Sequence, residues 1–287
     1  SIYYTTDGST PSASSEKYSA PIKLAKTTVL KAVTINDGKR NSEVVTNSYI
    51  INENHTVPVM SISVDPGNFS YLNKNAWTVG IEVPSYTEYF DGKDGFTIGS
   101  GLRLFGGTTR GPAKKSYALK FDKANGSGTL NYQVFANRDY ATYEDLVLRT
   151  ASQDENRAII RDILGTSLVD GVTNAYVQAY KTIILYINGN YWGLYYLREK
   201  TDENYVSNNF NVSTEGTDVL RVDGELKSGT REAFNSLTSY LNSHDLSNDT
   251  YYVYNDNKKV GVIFLKIDTN NNVFYYYDKA GISTAES

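Results

Sequence analysis

The dipeptide Asn188-Gly189 sits between two apolar runs, 181–187 and 191–197. A two-residue type I′ turn needs positive φ at both central positions, and Asn followed by Gly meets that demand at least cost. The middle of the chain is therefore committed to a long antiparallel hairpin. An isolated hairpin cannot bury its apolar face, so further strands must join it.

Alternation with period two supplies them. Residues 59–64 read Val-Met-Ser-Ile-Ser-Val, and strands are expected again at 79–90, 101–105 and 115–121. The last two are joined by a glycine-rich turn from Gly106 to Pro112, while Pro66-Gly67 falls in a loop. The clearest helical signal spans 157–170. There Ile159, Ile160, Ile163, Leu164, Leu168 and Val169 form one apolar stripe, with Asp154, Arg157 and Arg161 on another side. Thr201 can cap a helix whose first turn carries Asp202 and Glu203. Phe234, Leu237 and Leu241 mark a short helix, and strands are expected at 260–267 and 273–277, around a turn at 268–272.

The first fifty residues have a different rhythm. Short β-prone runs at 2–6, 18–24, 27–35 and 44–51 are separated by Asp7-Gly8-Ser9-Thr10-Pro11 and Asn36-Asp37-Gly38-Lys39. Strands at that spacing with Gly and Pro turns predict a small β-sandwich. A polar linker at 53–58 follows. With 287 residues in all, two structural units are expected.

Composition removes several function classes. Net charge is −4 and the Lys and Arg residues are scattered, so no basic groove is set up for nucleic acid. There is no cysteine, which excludes disulfides, thiolate metal sites and a Cys nucleophile. His55 and His244 have no partner at metal-ligand spacing, so zinc sites and His-based triads fall away. Paired acids for glycoside hydrolysis cannot be recognised from spacing alone. No run is long and apolar enough to be a membrane span. The chain opens inside a strand pattern and is expected to be cut from a longer protein, so a missing signal peptide does not argue against export. The 25 tyrosines, with abundant Asn, Ser and Thr, suit carbohydrate-rich extracellular surfaces.

Three segments could carry chemistry. Gly106-Gly107-Thr108-Thr109-Arg110-Gly111 offers unhindered amides, two hydroxyls and a guanidinium, a set that suits phosphate oxygens; a plain hairpin turn has the same composition. Lys115 follows on the same side as Tyr117, Leu119 and Phe121, where an ammonium is desolvated unless it meets an anion. Residues 148–157 bring charged groups into the 157–170 helix, as a functional cluster or as capping and surface pairs. Glu199, in Leu197-Arg198-Glu199-Lys200, could pair with Lys115 as kinases pair a strand Lys with an acid, or belong to a surface charge cluster.

Two resemblances emerge. Tyr3-Tyr4-Thr5-Thr6-Asp7-Gly8-Ser9-Thr10-Pro11, Tyr18-Ser19-Ala20-Pro21-Ile22, Leu30-Lys31-Ala32-Val33 and Asn41-Ser42-Glu43-Val44 resemble the immunoglobulin-like repeat named after the C-terminal domain of chitobiase and β-hexosaminidase, with its first strand missing. Gly101-Leu102-Arg103-Leu104-Phe105-Gly106-Gly107-Thr108-Thr109-Arg110, Lys114-Lys115-Ser116, Leu148-Arg149-Thr150, Arg157-Ala158-Ile159-Ile160-Arg161-Asp162, and the run through Trp192 to Glu199 and Glu203 resemble the spore-coat protein H (CotH) kinase family over about residues 57–245.

The resemblances imply an α+β architecture: a small all-β immunoglobulin-like sandwich at 1–52, an atypical protein-kinase-like domain at 57–250, and a divergent β-rich tail at 251–287. They imply an exported Ser/Thr protein kinase using ATP with Mg²⁺, or Ca²⁺, on extracellular or cell-surface protein substrates. Lys115 and Glu199 would be catalytic, and Arg103, Arg110 and Lys115 would contact nucleotide. The two carboxylate motifs that complete the family's site are not found; Asn255-Asp256-Asn257 and Asp268 imitate them only loosely. Two functions stay open: an active or inactive CotH-type kinase, and a non-catalytic adhesion or carbohydrate-binding module.

Overall fold

The computed structural model describes residues 1–126, 128–151, 154–173, 176–220, 224–243, 250–255, 258–267 and 273–278. It divides into two compact units, Ser1–Thr214 and Glu215–Ser287. Among the described residues the protein is mostly β, with four α-helices.

The first unit opens with β1 (Ile2–Thr5), β2 (Glu16–Lys17), β3 (Thr28–Thr34) and β4 (Val45–Tyr49), in the antiparallel order β2-β1-β3-β4. This is one sheet where a two-sheet sandwich was expected. Residues 18–24 form no strand; Pro21 has no N–H to give a ladder. One face of the sheet carries buried Val29, Lys31, Val33 and Thr46. The Lys31 ammonium donates to the Gly8 carbonyl at 2.8 Å, and the hairpin tip at Asn188-Gly189 packs beside it.

The remainder of the unit is built on a closed seven-stranded barrel. In chain order its elements are β5 (Val59–Val64), α1 (Pro66–Lys74), β6 (Glu82–Asp91), β7 (Asp94–Phe105), β8 (Ser116–Lys120), the short ribbon β9 (Leu130–Asn131) and β10 (Thr142–Tyr143), β11 (Asp145–Arg149), α2 (Arg161–Val169), β12 (Tyr180–Ile187), β13 (Asn190–Glu199) and α3 (Glu203–Phe210). The barrel order is β11-β13-β12-β5-β6-β7-β8. Its one parallel pair is β5 with β12; the others are antiparallel. Alternate residues fill the interior, among them Met60, Leu102, Tyr117, Leu119, Leu146 and Leu197, all essentially inaccessible to water. Removing such side chains from water is the main favourable contribution, about 1.5–3 kcal/mol each. The hairpin tip has φ of 51° at Asn188 and 75° at Gly189, as a type I′ turn requires.

Three helices differ from the sequence expectation. Helix α3 is capped by Asp202, whose Oδ1 accepts from the N–H groups of Asn204 and Tyr205, where Thr201 was the expected cap. Asp65 and Pro66 start α1 where a loop was expected: Asp65 Oδ1 accepts from the N–H groups of Gly67 and Asn68, and Pro takes the first helical position. Helix α2 begins at Arg161, because Ile159 has φ of 66° and interrupts the backbone before it. No residue of α2 is buried, so the apolar stripe read from the sequence does not face a core.

The second unit contains the ribbon β14 (Val219–Leu220) and β15 (Leu226–Ser228), α4 (Glu232–Ser243), and the antiparallel meander β16 (Thr250–Asn255), β17 (Lys258–Ile267) and β18 (Val273–Asp278). Asp256 and Asp268, the loose imitations of catalytic acids, lie outside the described residues.

Candidate functional site

Strand β7 ends at Phe105 and the glycine-rich loop carries the chain to β8. Gly106 has φ of 98°, and a Cβ there would fall 2.2 Å from the Thr109 hydroxyl, so the turn requires glycine. The Arg110 guanidinium is folded back under this loop. Its Nε donates to the Gly106 carbonyl (2.6 Å), Nη2 to Leu104 (2.8 Å), and Nη1 to Ala76 (3.1 Å) and Thr78 (3.5 Å). Arg110 therefore ties the loop to the end of α1 rather than facing a nucleotide.

Lys115 points inward, as its period-two parity predicts, and is 8% exposed. Its desolvated ammonium meets the carbonyls of Pro112 (2.5 Å) and Gly111 (3.4 Å). Glu199, 3% exposed, has other partners. It accepts from Arg138 Nη2 at 2.8 Å and Nε at 3.1 Å, from the Ala179 N–H at 2.6 Å, and from the Tyr140 hydroxyl. Burial works against the Arg138 charge, but the hydrogen bonds and charge of Glu199 outweigh it and hold that guanidinium above its ordinary pKa.

The expected pairing of Lys115 with Glu199 is thus not made, and the strand register explains why. The Tyr195 hydroxyl donates to the Lys115 carbonyl at 2.9 Å, which places Lys115 level with Tyr195. Glu199 lies four residues further along β13, about 13 Å away at the rise of a β-strand. The two groups occupy opposite ends of the barrel interior, with Tyr117 and Leu197 between them. Arg103 is also elsewhere. It stands opposite Glu82 on β6, and its Nε donates to that carboxylate, which also accepts from Asn125 at 2.7 Å.

The group that does meet an acid at the loop end is Lys114. Its ammonium is 3.5 Å from Glu155 Oε1 and 5.2 Å from the centroid of the Tyr195 ring. Gly193, with φ of 98°, leaves space beside it; a Cβ there would lie 3.6 Å from Nζ. Glu155 precedes α2 in the turn organised by Asp154, whose carboxylate accepts from the N–H groups of Ala158 and Arg161. Sequence reasoning singled out neither residue of this pair, although the Lys114-Lys115 doublet and an acid just before a helix were both visible. The arrangement, a half-buried Lys–Glu pair over an aromatic ring beside a glycine-rich loop, can hold an anionic phosphate by charge and backbone amides.

A divalent ion is a different matter. Among the described residues no group of three or more acidic or histidine side chains could hold one. Lys200 occupies an acid-rich corner, 2.9 Å from both Asp145 and Asp202; burial raises the Asp145 pKa and Lys200 partly offsets it.

These elements define a modular β-rich protein in which a short sheet is fixed to a barrel that presents a lysine–glutamate pair beside a glycine-rich loop. Residues 102–262 match the family described as CotH kinase protein. That is more than half of the chain, and the chain belongs to this family. Residues 1–49 match the family described as Fn3 associated. The order of the two modules is the one carried by the sequence motifs. No curated protein matches the chain. Among the described residues no helix is long and apolar enough to cross a membrane.

Proposed function

We propose that this chain is an exported atypical kinase of the CotH type, passing phosphate from ATP to Ser or Thr hydroxyls of extracellular or cell-surface proteins. In this reading 1–52 is an accessory immunoglobulin-like module, 57–250 the kinase-like α+β domain and 251–287 a divergent tail. The observation that carries it is the Lys114–Glu155 pair at the glycine-rich loop, inside the segment that matches the CotH kinase family. Kinases hold the phosphates of ATP with a Lys that pairs with a helix Glu. Lys114 pairs with Glu155, an acid in the turn ahead of α2, whereas Lys115 and Glu199 are taken up by backbone carbonyls and Arg138. Mg²⁺, or Ca²⁺, would when bound neutralise charge on the phosphate oxygens. Among the described residues no cluster of acids offers it a cage, and the roles given to Lys114 and Glu155 stand without it.

Isothermal titration of the whole chain with ATP and Mg²⁺, repeated with Ca²⁺, tests the reading. Heat is expected for the native protein and for Lys115→Met, and loss of heat for Lys114→Ala. Silence of the native chain at millimolar nucleotide sinks the nucleotide reading. Loss in Lys115→Met with retention in Lys114→Ala returns the role to Lys115.

A second reading has one observation in its favour. The Tyr191 ring is 59% exposed and nearly parallel to His55 (14°, centroids 6.3 Å apart), and Trp77 is 68% exposed. Exposed rings of this kind suit a carbohydrate-binding or adhesion module. A glycan array separates the two: retention on a polysaccharide that Tyr191→Ala abolishes, without nucleotide heat, selects the binding module.

A further inference from the structure

The outward face of β11 and β13 carries two arginines side by side. Arg149 stands opposite Tyr196, and Arg198 opposite Val147, which makes them diagonal neighbours on one face of an antiparallel pair. Both turn to a single carboxylate. Asp162, in the first turn of α2, has Oδ2 at 2.5 Å from Arg198 Nη1 and 2.8 Å from Arg149 Nε. The Arg149 contact is one of charge, since its N–H is not aligned for a hydrogen bond.

Two cations thus share one anion. Arg198 is the more enclosed, with its side chain 4% exposed and its Nε buried without a hydrogen-bond partner. Burial, with repulsion from Arg149, lowers the Arg198 pKa against the pull of Asp162. The site therefore has spare positive charge and spare donors. A single carboxylate cannot satisfy two guanidinium forks, whereas a tetrahedral oxyanion has enough oxygens to do so.

The occupant is also weakly held. Asp162 is about one-third exposed, and α2 buries no side chain of its own. Besides Asp162, the described polar contacts of this segment with the barrel are the Tyr196 hydroxyl on the Ile159 carbonyl (3.2 Å) and Ser167 with the Tyr180 hydroxyl (3.1 Å). Arg161 is turned to Asp154, at 3.2 Å, and does not compete for Asp162.

We propose that Arg149 and Arg198 form a binding site for a phosphate group, that Asp162 fills it from within the chain, and that an incoming phosphate displaces Asp162 and loosens α2. The site is separate from Lys114 and does not depend on phosphoryl transfer. The chemistry is shared by inorganic phosphate and by a phosphorylated side chain, and the experiment uses both.

The test measures binding of inorganic phosphate and of a phosphoserine peptide to the whole chain by calorimetry, with chloride at matched ionic strength as the control. Asp162→Asn keeps the shape of the side chain and removes the competing charge. It is expected to bind phosphate about tenfold or more tightly than the native chain, since one charge-assisted contact no longer competes. Adding Arg149→Gln to Asp162→Asn should abolish the gain. Preference for the peptide over inorganic phosphate marks a phosphoprotein as the source; equal affinity marks the free ion. In the native chain, phosphate should speed amide exchange across 161–169. Equal affinity of native and Asp162→Asn chains, or a gain that survives Arg149→Gln, overturns the proposal. Exchange across 161–169 that ignores phosphate overturns it too, even if the variants fail to fold.

Discussion

One buried carboxylate ties the N-terminal sheet to the barrel, and replacing it should separate two effects. Glu88, on β6, is 3% exposed. Its Oε1 accepts from the Ser48 N–H of β4 at 3.0 Å, and its Oε2 accepts from the Ser48 hydroxyl, which also lies 2.8 Å from the hydroxyl of Ser61 on β5. Glu88→Ala would leave the half-buried Ser48 N–H without its acceptor and the Ser48 hydroxyl with Ser61 alone. A hydrogen bond to a charged group is worth about 1.5–3 kcal/mol, and an orphaned buried donor costs about as much again; relief of the buried charge offsets part of this. A net loss of about 3 kcal/mol is expected, a drop in Tm of roughly 6–12 °C for a unit of this size. Glu88→Gln keeps the shape and one acceptor without the charge, and should stay within about 1 kcal/mol of the native protein.

The pH dependence has a definite sign. Burial raises the Glu88 pKa, and the hydrogen bonds from Ser48 only partly oppose this. The folded protein then holds the proton more tightly than the unfolded chain. This contribution to stability is fully present below the unfolded value of about 4.3, and is lost as pH rises through the higher folded value. Urea unfolding across that range should show the slope in the native chain and not in Glu88→Gln. Amide exchange at 45–49 reports whether the sheet stays docked. If Glu88→Ala leaves stability and exchange unchanged, or Glu88→Gln keeps the native pH slope, the reasoning fails.

Two other substitutions probe the same unit. Arg138→Ala strands Glu199 in the barrel end, and breaking a buried pair from one side should cost about 3–5 kcal/mol in urea unfolding; Arg138→Ala combined with Glu199→Gln should recover part of that. Gly189→Ala places a Cβ 3.1 Å from the Thr27 carbonyl at a φ of 75°, so a Tm loss corresponding to about 1–3 kcal/mol is expected, whereas Gly92→Ala, with positive φ but open space, should cost about 1 kcal/mol. Equal losses at the two glycines would show that the hairpin tip does not press on the N-terminal sheet.

The strands were legible because local rules decide them. Alternation placed 59–64 where β5 stands, and Asn188-Gly189 placed the turn between β12 and β13. Closure of the barrel was not legible. It depends on the parallel pairing of β5 with β12, which joins residues more than a hundred positions apart and leaves no local pattern. Helix α1 was missed although Asp65 and Pro66 are start signals, because the nine residues after Asp65 carry only one buried side chain, Leu72, and so no readable stripe. The start of α2 was misplaced for the opposite reason: the stripe is readable, but Ile159 adopts a φ that a β-branched residue rarely takes, and the apolar face is not buried.

The site was legible in its segments and not in its pairings. Parity correctly turned Lys115 inward, yet inward at a barrel end means toward the nearest carbonyls as readily as toward a ligand. A buried charge takes whichever compensation its register offers, and the registers of β8, β11 and β13 put Glu199 level with Leu119 and Lys115 level with Tyr195. Lys114, with the opposite parity, escapes the packed interior and reaches Glu155. A motif that places two lysines in succession therefore divides them: one is consumed in closing the loop, and its neighbour is left where an anion can approach.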